Sequence, residues 1–420
     1  MNNENTKSRR GVSKSTLLIM LCWLVYACSY IGKLSYSANI NQMGDAFGVS
    51  YADAGMVSTF FFFAYGIGQV VNGIFCKKYN VKYVIFASLA VASTINVLIV
   101  NVSDFGIMKY LWLINGIAMS FLWTSLIRLL SETLAKKDIS RAIVAMGTTV
   151  ATGTFIVYGL SALFVAVLDF RITFYVAAGI MLTAAILWLC SFNKLVAPLK
   201  AERESEVEET ASTELKKSSG KMERGVLVML ITLAFFAVAN NFVKDGLTSW
   251  MPDILAATYD TPGWLSILLT LLLPIMAIGG TVVAVNLYKK IPSFVGVCTL
   301  LFLASSALIG TVLGFLSTSL IAVTIGCFAV VSCLMAGVNN VITSMAPLYL
   351  KEKYENSGML AGVLNGFCYL GSTISSYGLG AVADAKGWRA VFVLLLSVGC
   401  AVTLLGAIYL IFNKKTKKNT

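Results

Sequence analysis

The sequence predicts an all-α membrane protein of twelve transmembrane helices in two six-helix halves, and three observations carry that prediction. Hydrophobic residues make up 58% of the 420 positions and charged residues only 12%, with a mean hydropathy of +0.81. A soluble domain holds about 45–50% apolar and 25% charged residues. The apolar residues fall in runs of about 20, the length that crosses a bilayer as a helix, rather than in the short alternating segments of a barrel. Finally, two lysines inside otherwise apolar stretches, Lys33 and Lys244, stand 211 residues apart, half the chain, as if one unit had been used twice.

In order, the spans are placed at 16–41, 55–76, 82–101, 107–134, 141–168, 171–193, 225–251, 263–288, 291–315, 318–348, 357–380 and 387–412. The first is too long for the apolar region of a signal peptide and lacks a small-residue cleavage pattern, so it reads as a retained helix. The 34 glycines suit close helix packing in lipid. Between the sixth and seventh spans, residues 194–224 are polar and charge-rich, from Glu202, Glu204, Glu206, Glu208 and Glu209 to Lys216, Lys217 and Lys221. That composition predicts a solvated linker joining an N-terminal half, 16–193, to a C-terminal half, 225–412, with tails at 1–15 and 413–420.

Orientation follows from loop charge. Of 32 Lys and Arg residues, 25 lie in the tails, the linker and the even-numbered loops, four lie on the opposite side (Lys109, Arg171, Lys386, Arg389), and Lys33, Arg128 and Lys244 fall inside spans. The bias predicts cytoplasmic termini in a multi-pass protein of the cell (plasma or inner) membrane. It also accounts for most of the net charge of +12. Without a basic nucleic-acid module, no nucleic-acid partner is expected.

The halves echo one another beyond the lysines. Lys77 and Lys78 recur as Lys289 and Lys290, and Phe170, Arg171 and Phe174 as Trp388, Arg389 and Phe392. Six helices per half give both copies the same orientation, related by a pseudo-two-fold axis along the membrane normal. Substrate then binds between the halves near mid-depth, where the two lysines are expected to face each other.

A Lys at the centre of a span costs roughly 2.5–3.5 kcal/mol on insertion scales, so the pair points to an anion. Polar stripes surround it. Tyr26, Tyr30, Lys33 and Ser37 share one face of the first helix; Asn240, Lys244 and Thr248, with Asn241 adjacent, share one of the seventh. Tyr65, Gln69 and Asn72 line the second, and Asn365, Tyr369, Ser372 and Ser376 the eleventh. Any single stripe fits interhelical hydrogen bonding; four, two of them centred on lysine, favour a cavity. Lys33 has a bland alternative, snorkelling toward the outer leaflet. Lys244 has Asp245 beside it, but neighbours at i and i+1 on a helix do not face each other, so no internal neutralisation is expected.

The chain resembles the major facilitator superfamily, and within it the organophosphate:phosphate antiporter family, over nearly its whole length outside the linker and tails. Ala64-Tyr65-Gly66, Gly73 and the run from Lys77 to Lys82 look like that family's second helix and basic loop, with Lys77 where an Asp is usual. Asn115-Gly116, Trp123 and Arg128 keep the spacing of its fourth helix. Gly358, Ala361-Gly362, Gly366, Tyr369-Leu370-Gly371, Asp384, Gly387 and Trp388 look like its eleventh helix and the turn into the twelfth, the most specific block.

The resemblance implies the major facilitator fold and exchange of an organophosphate for phosphate. Its two phosphate-binding arginines fall on Lys33 and Lys244, and its site tyrosines on Tyr26, Tyr30, Tyr65 and Tyr369. A further basic residue falls on Gln69 and its histidine near Thr152, beside Thr148 and Thr149, in a chain with no histidine. The departures therefore cluster in the site. Arg offers a planar fork for phosphate, whereas Lys is a point charge. An anion site survives the change; a phosphate monoester, carboxylate, phosphonate or sulfonate fits it, and zwitterions stay open.

The expected mechanism is alternating access about the central site. Two unpaired cations resist close approach until an anion bridges them, which favours exchange; loss of a proton from one lysine gives proton-coupled symport instead. A transporter-like sensor is the alternative of another class. Arg128 and Glu132, at i and i+4, predict a structural or gating ion pair, and Lys78 and Asp384 are assigned with them. The nine cysteines read as packing residues. No nucleophile, metal or nucleotide motif is present, so neither catalysis nor a cofactor or metal is expected. The expected partners are the bilayer and a small anionic substrate, with the protein a monomer.

Overall fold

A computed structural model describes residues 13–75, 78–209, 224–315, 320–353 and 357–418. Lys77, residues 1–12 and 419–420 of the tails, and 210–223 of the linker lie outside the described residues. The described chain is helical, without strands: α1 (Lys14–Ala38), α2 (Ile40–Phe47), α3 (Tyr51–Phe75), α4 (Val81–Ile99), α5 (Phe105–Thr133), α6 (Lys136–Val167), α7 (Arg171–Glu209), α8 (Arg224–Tyr259), α9 (Gly263–Thr270), α10 (Leu272–Ala277), α11 (Gly280–Lys290), α12 (Phe294–Phe315), α13 (Ile321–Asn340), a π-helical turn (Val341–Met345), α14 (Ala346–Lys353) and α15 (Ser357–Lys418). Eleven of the described helical stretches are long and apolar enough to span, and the last, Gly362–Phe412, is 51 residues long. It holds two spans, because Gly387 breaks it with φ 74° and ψ 171°, a backbone conformation that suits a residue without Cβ. Twelve spans result, as the sequence predicts.

Several ends differ from the sequence expectation, each for a local reason. The first span stops at Asn39, whose side chain turns back to the Ser35 carbonyl (2.8 Å) and accepts from Ser161 (2.7 Å), and α2 follows as a separate short helix. The seventh span is expected to end at 251, ahead of Pro252, yet α8 carries the proline inside it and runs to Tyr259. A proline kinks a helix but is tolerated where neighbouring helices pack around the freed carbonyl, and Met251 to Leu255 are all buried. The sixth helix continues past 193 to Glu209. The eighth span is broken into α9, α10 and α11, and the tenth carries the π turn, the kind of local irregularity common at working positions of a helix.

Packing repeats between the halves. Against one another lie α1 and α6 in the first half and α8 and the first part of α15 in the second; α3 with α5 corresponds to the eighth span with α13, and α4 with α7 to α12 with α15. The halves meet along α3 with α15 and α6 with α9 and α10. These contacts run along α3 from Val70, which lies against Gly366, to the membrane face opposite the chain termini, here the far face. There Gly55 and Gly380 let the backbones of α3 and α15 touch: a Cβ on Gly55 would overlap the Ser376 carbonyl, and one on Gly380 the Tyr51 carbonyl. Gly55→Leu is therefore expected to cost about 1–3 kcal/mol by overpacking, read as a lower melting temperature of the purified protein, while Gly147→Leu, whose Cβ meets open space, leaves it unchanged.

Candidate functional site

The first lysine sits where three helices converge. Lys33, on α1, is 6% exposed, and its ammonium lies 4.2 Å from the ring centroid of Tyr65, 4.7 Å from Tyr30, 5.1 Å from Tyr369, 5.7 Å from Phe61 and 5.8 Å from Phe62. Tyr30 comes from its own helix, Phe61, Phe62 and Tyr65 from α3, and Tyr369 from α15 across the seam between halves. The rings brace one another: Tyr65 and Tyr369 are 4.6 Å apart between centroids, and Tyr26 stands behind, 5.4 Å from Tyr30 and 4.8 Å from Trp123. Ring quadrupoles hold a cation without neutralising it, each for about 0.5–2 kcal/mol. Among the described residues no hydrogen-bond or ion-pair partner reaches the Lys33 ammonium. It is a charge held in place and left unspent.

Lys244 differs. Its ammonium is 3.1 Å from Asp245 Oδ1, with both side chains partly exposed. The other carboxylate oxygen accepts from Ser372 on α15 (2.5 Å) and from Asn241 (3.0 Å), and Asn241 also donates to Ser372 (3.2 Å). The expectation that Lys244 lacks internal neutralisation is therefore corrected. The Cα–Cβ bonds of adjacent helical residues diverge by about 100°, but a lysine stem is long enough to bring its end back to the neighbouring carboxylate. Asn240 donates to Asn241 (3.0 Å) and its own carbonyl oxygen is buried without a partner. Both Lys244 and Asp245 are near enough to act electrostatically on Lys33. With all three side chains ionised, the centre carries two cations and one anion, a formal net charge of +1.

The remaining candidates divide. Gln69 spends both ends on α5, donating to the Ser120 carbonyl (3.1 Å) and accepting from Thr124 (3.2 Å). Thr152 donates to the Thr148 carbonyl within α6 (3.0 Å), one residue before Gly153, where a Cβ would press on Tyr30. Arg128 and Glu132 form the i,i+4 ion pair at 2.8 Å. Lys78 lies over the Phe75 ring at 4.9 Å. Asp384 accepts from the backbone N–H groups of Tyr51 (3.0 Å) and Ala52 (2.7 Å), capping α3 from the opposite half, where helix dipole and carboxylate attract. Sequence reasoning missed Phe61, Phe62 and Asp245 as members of the cluster. The phenylalanines were concealed in the run Phe60–Phe63, where four identical residues give no sign of which face inward.

Twelve spans in two repeated halves, enclosing a cluster of charged side chains, define a polytopic α-helical transporter. The family model described as Major Facilitator Superfamily matches residues 22–376, and the chain belongs to that superfamily. A "Probable hexose phosphate transport protein" of Chlamydia pneumoniae is 24% identical over 94% of this chain and 90% of its own length. The "Membrane sensor protein UhpC" of Escherichia coli (strain K12) is 26% identical, but over only 24% of this chain and 23% of the sensor, so the match spans about a quarter of that relative. Both are in keeping with the antiporter-family resemblance. Among solved structures, a POT family transporter in complex with 5-aminolevulinic acid superposes with a TM-score of 0.75 over 97% of this chain and 98% of its own, at 13% identity. A bacterial homolog of the human lysosomal transporter Spinster, inward-facing and occupied, gives 0.73 over 95% and 97%, also at 13%. These two support the fold.

Proposed function

We propose that this chain is a secondary active transporter of a small organic anion, working by alternating access in the cell membrane with both termini cytoplasmic. The observation that carries this reading is the Lys33 ammonium, unpaired inside five rings drawn from both halves. An anion is the ligand such a charge lacks, and because Tyr369 and Tyr65 belong to opposite halves, binding there bears on how the halves sit. In this orientation the far face is extracellular, and its contacts describe a carrier closed to the outside, with Asp384 latching α15 to the start of α3 and Arg128, Glu132 and Lys78 serving structure or gating.

The net charge of +1 refines the substrate. A single negative charge, on a carboxylate, phosphonate or phosphate monoester monoanion, neutralises the site; a dianion overshoots it unless Asp245 gives way. The relative named for hexose phosphate transport supports an organophosphate within that class. Exchange against phosphate or another anion remains the favoured mode, since an empty site keeps an uncompensated charge, although Asp245 leaves one such charge rather than two. The relatives named as membrane sensors support a second reading, a transporter-like sensor.

Proteoliposomes loaded with phosphate or with buffer alone, assayed with labelled glucose 6-phosphate, glycerol 3-phosphate, a sugar carboxylate and a phosphonate, test all of this. Uptake of at least one, faster with phosphate inside, is expected. Binding without flux would make the protein a sensor, and uptake surviving both Lys33→Ala and Lys244→Ala would sink the site.

A further inference from the structure

A second carboxylate lies away from the lysines. Asp253, just after Pro252 in α8, is 1% exposed, and neither of its carboxylate oxygens has a hydrogen-bond partner. Among the described residues, the titratable groups found to interact electrostatically with it come from the opposite half: Tyr36 on α1, Asp45 on α2, Tyr51 at the start of α3 and Tyr158 on α6. None is a cation. The hydroxyls of Tyr36 and Tyr158 are spent on backbone carbonyls, of Ala54 (2.9 Å) and Thr248 (2.9 Å). Beside them Tyr51, Trp250 and Trp388 close the seam with ring centroids 5.2–6.0 Å apart. Asp253 therefore sits in a buried, aromatic joint between halves, at the end that has to part when the far face opens.

We infer that Asp253 is a proton-binding site whose occupancy licenses closure of the far face. An unpaired carboxylate cannot be taken out of water as an anion without a large penalty, and a lone side chain among rings offers too few oxygens for a metal ion, whereas one proton removes the charge. When the far face opens, water reaches the carboxyl and the proton leaves to that side; when it closes, the proton is taken back from the same side. Since the closed form binds one more proton than the open form, alkaline conditions favour opening. This rests on the alternating-access reading, and neither Lys33 nor Asp245 takes part.

The full chain in lipid nanodiscs, without added anion, tests it. Infrared difference spectra between acidic and alkaline buffer are expected to show the carbonyl band of a protonated carboxyl in the wild type, lost in Asp253→Asn, kept in Asp245→Asn and restored at a shifted frequency in Asp253→Glu. Spin labels at Ala46→Cys and Lys386→Cys, exposed positions on opposite halves of the far face, are placed in a cysteine-free background. Their separation should lengthen at alkaline pH in the wild type and stay short in Asp253→Asn. An unchanged band in Asp253→Asn, an equal pH response in both proteins, or opening that follows sodium at fixed pH would overturn the proposal. Opening with pH in a protein that carries none of the four anions would instead sink the transport reading alone, and uptake without any pH response the proton site alone.

Discussion

Lys33→Met is expected to abolish transport while leaving the fold intact. Methionine has nearly the length of the lysine stem and packs favourably against aromatic rings, so the cage formed by Tyr30, Phe61, Phe62, Tyr65 and Tyr369 keeps its filling. What disappears is a charge that no ion pair or hydrogen bond meets among the described residues. Removing a partner from a buried, charge-assisted contact costs about 2–5 kcal/mol, or roughly 30- to 4,000-fold in affinity. Binding of whichever anion the panel identifies should weaken by that factor, and uptake should fall below detection. The melting temperature of the empty protein should hold or rise, because the variant no longer buries a charge without a counter-ion. A variant that melts early would mark Lys33 as structural; one that transports normally would remove it from the site. Lys33→Arg should retain part of the activity, since the charge survives although the larger fork fits the cage less well.

Much of this centre is visible in the sequence because charge in an apolar run has few explanations. Lys33, Lys244 and the tyrosines stand out against their spans, and the repeat could be seen from landmarks as sparse as Lys78 and Lys290. The twelve spans follow from apolar length alone. What stays hidden depends on the reach of side chains and on tertiary context. The pairing of Lys244 with Asp245 is invisible to an argument that tracks only the angle between adjacent residues on a helix. Asp253 falls outside the membrane if Pro252 is taken to end the seventh span, yet α8 carries the proline through and buries the carboxylate. Gln69 reads as a cavity residue by its place on the stripe of α3, and in the structure its side chain touches Tyr65 of the cage while also bonding to Ser120 and Thr124 on α5. A stripe marks the face of a helix that avoids lipid; whether a cavity or another helix covers that face is decided elsewhere in the chain.

Asp245→Asn is expected to change which anions are carried rather than whether any is. Asparagine keeps the shape and an oxygen for the hydroxyl of Ser372, now 2.5 Å from the carboxylate, but frees Lys244 and raises the centre from net +1 to +2. One additional elementary charge about 8 Å from a bound anion is worth about 2 kcal/mol at an effective dielectric near 20, or roughly 30-fold per unit of substrate charge. Divalent phosphate monoesters should therefore gain on monovalent carboxylates by about that factor, measured as the ratio of initial uptake rates in slightly alkaline buffer, where the ester's second ionisation, with a pKa near 6, is complete. Lys244→Gln runs the other way. It leaves Asp245 without its counter-charge and the centre at net zero, so both substrate classes should lose affinity. The double variant Lys244→Gln/Asp245→Asn returns the centre to +1 on Lys33 alone and should recover monovalent uptake that the single Lys244 variant has lost. That recovery separates a charge-counting site from a merely damaged one, because a second mutation improves function only if the first left an excess of negative charge. If the double variant is no better than Lys244→Gln, Lys244 contacts the substrate directly, and Asp245 is a support for that lysine rather than the residue that sets the valence of the cargo.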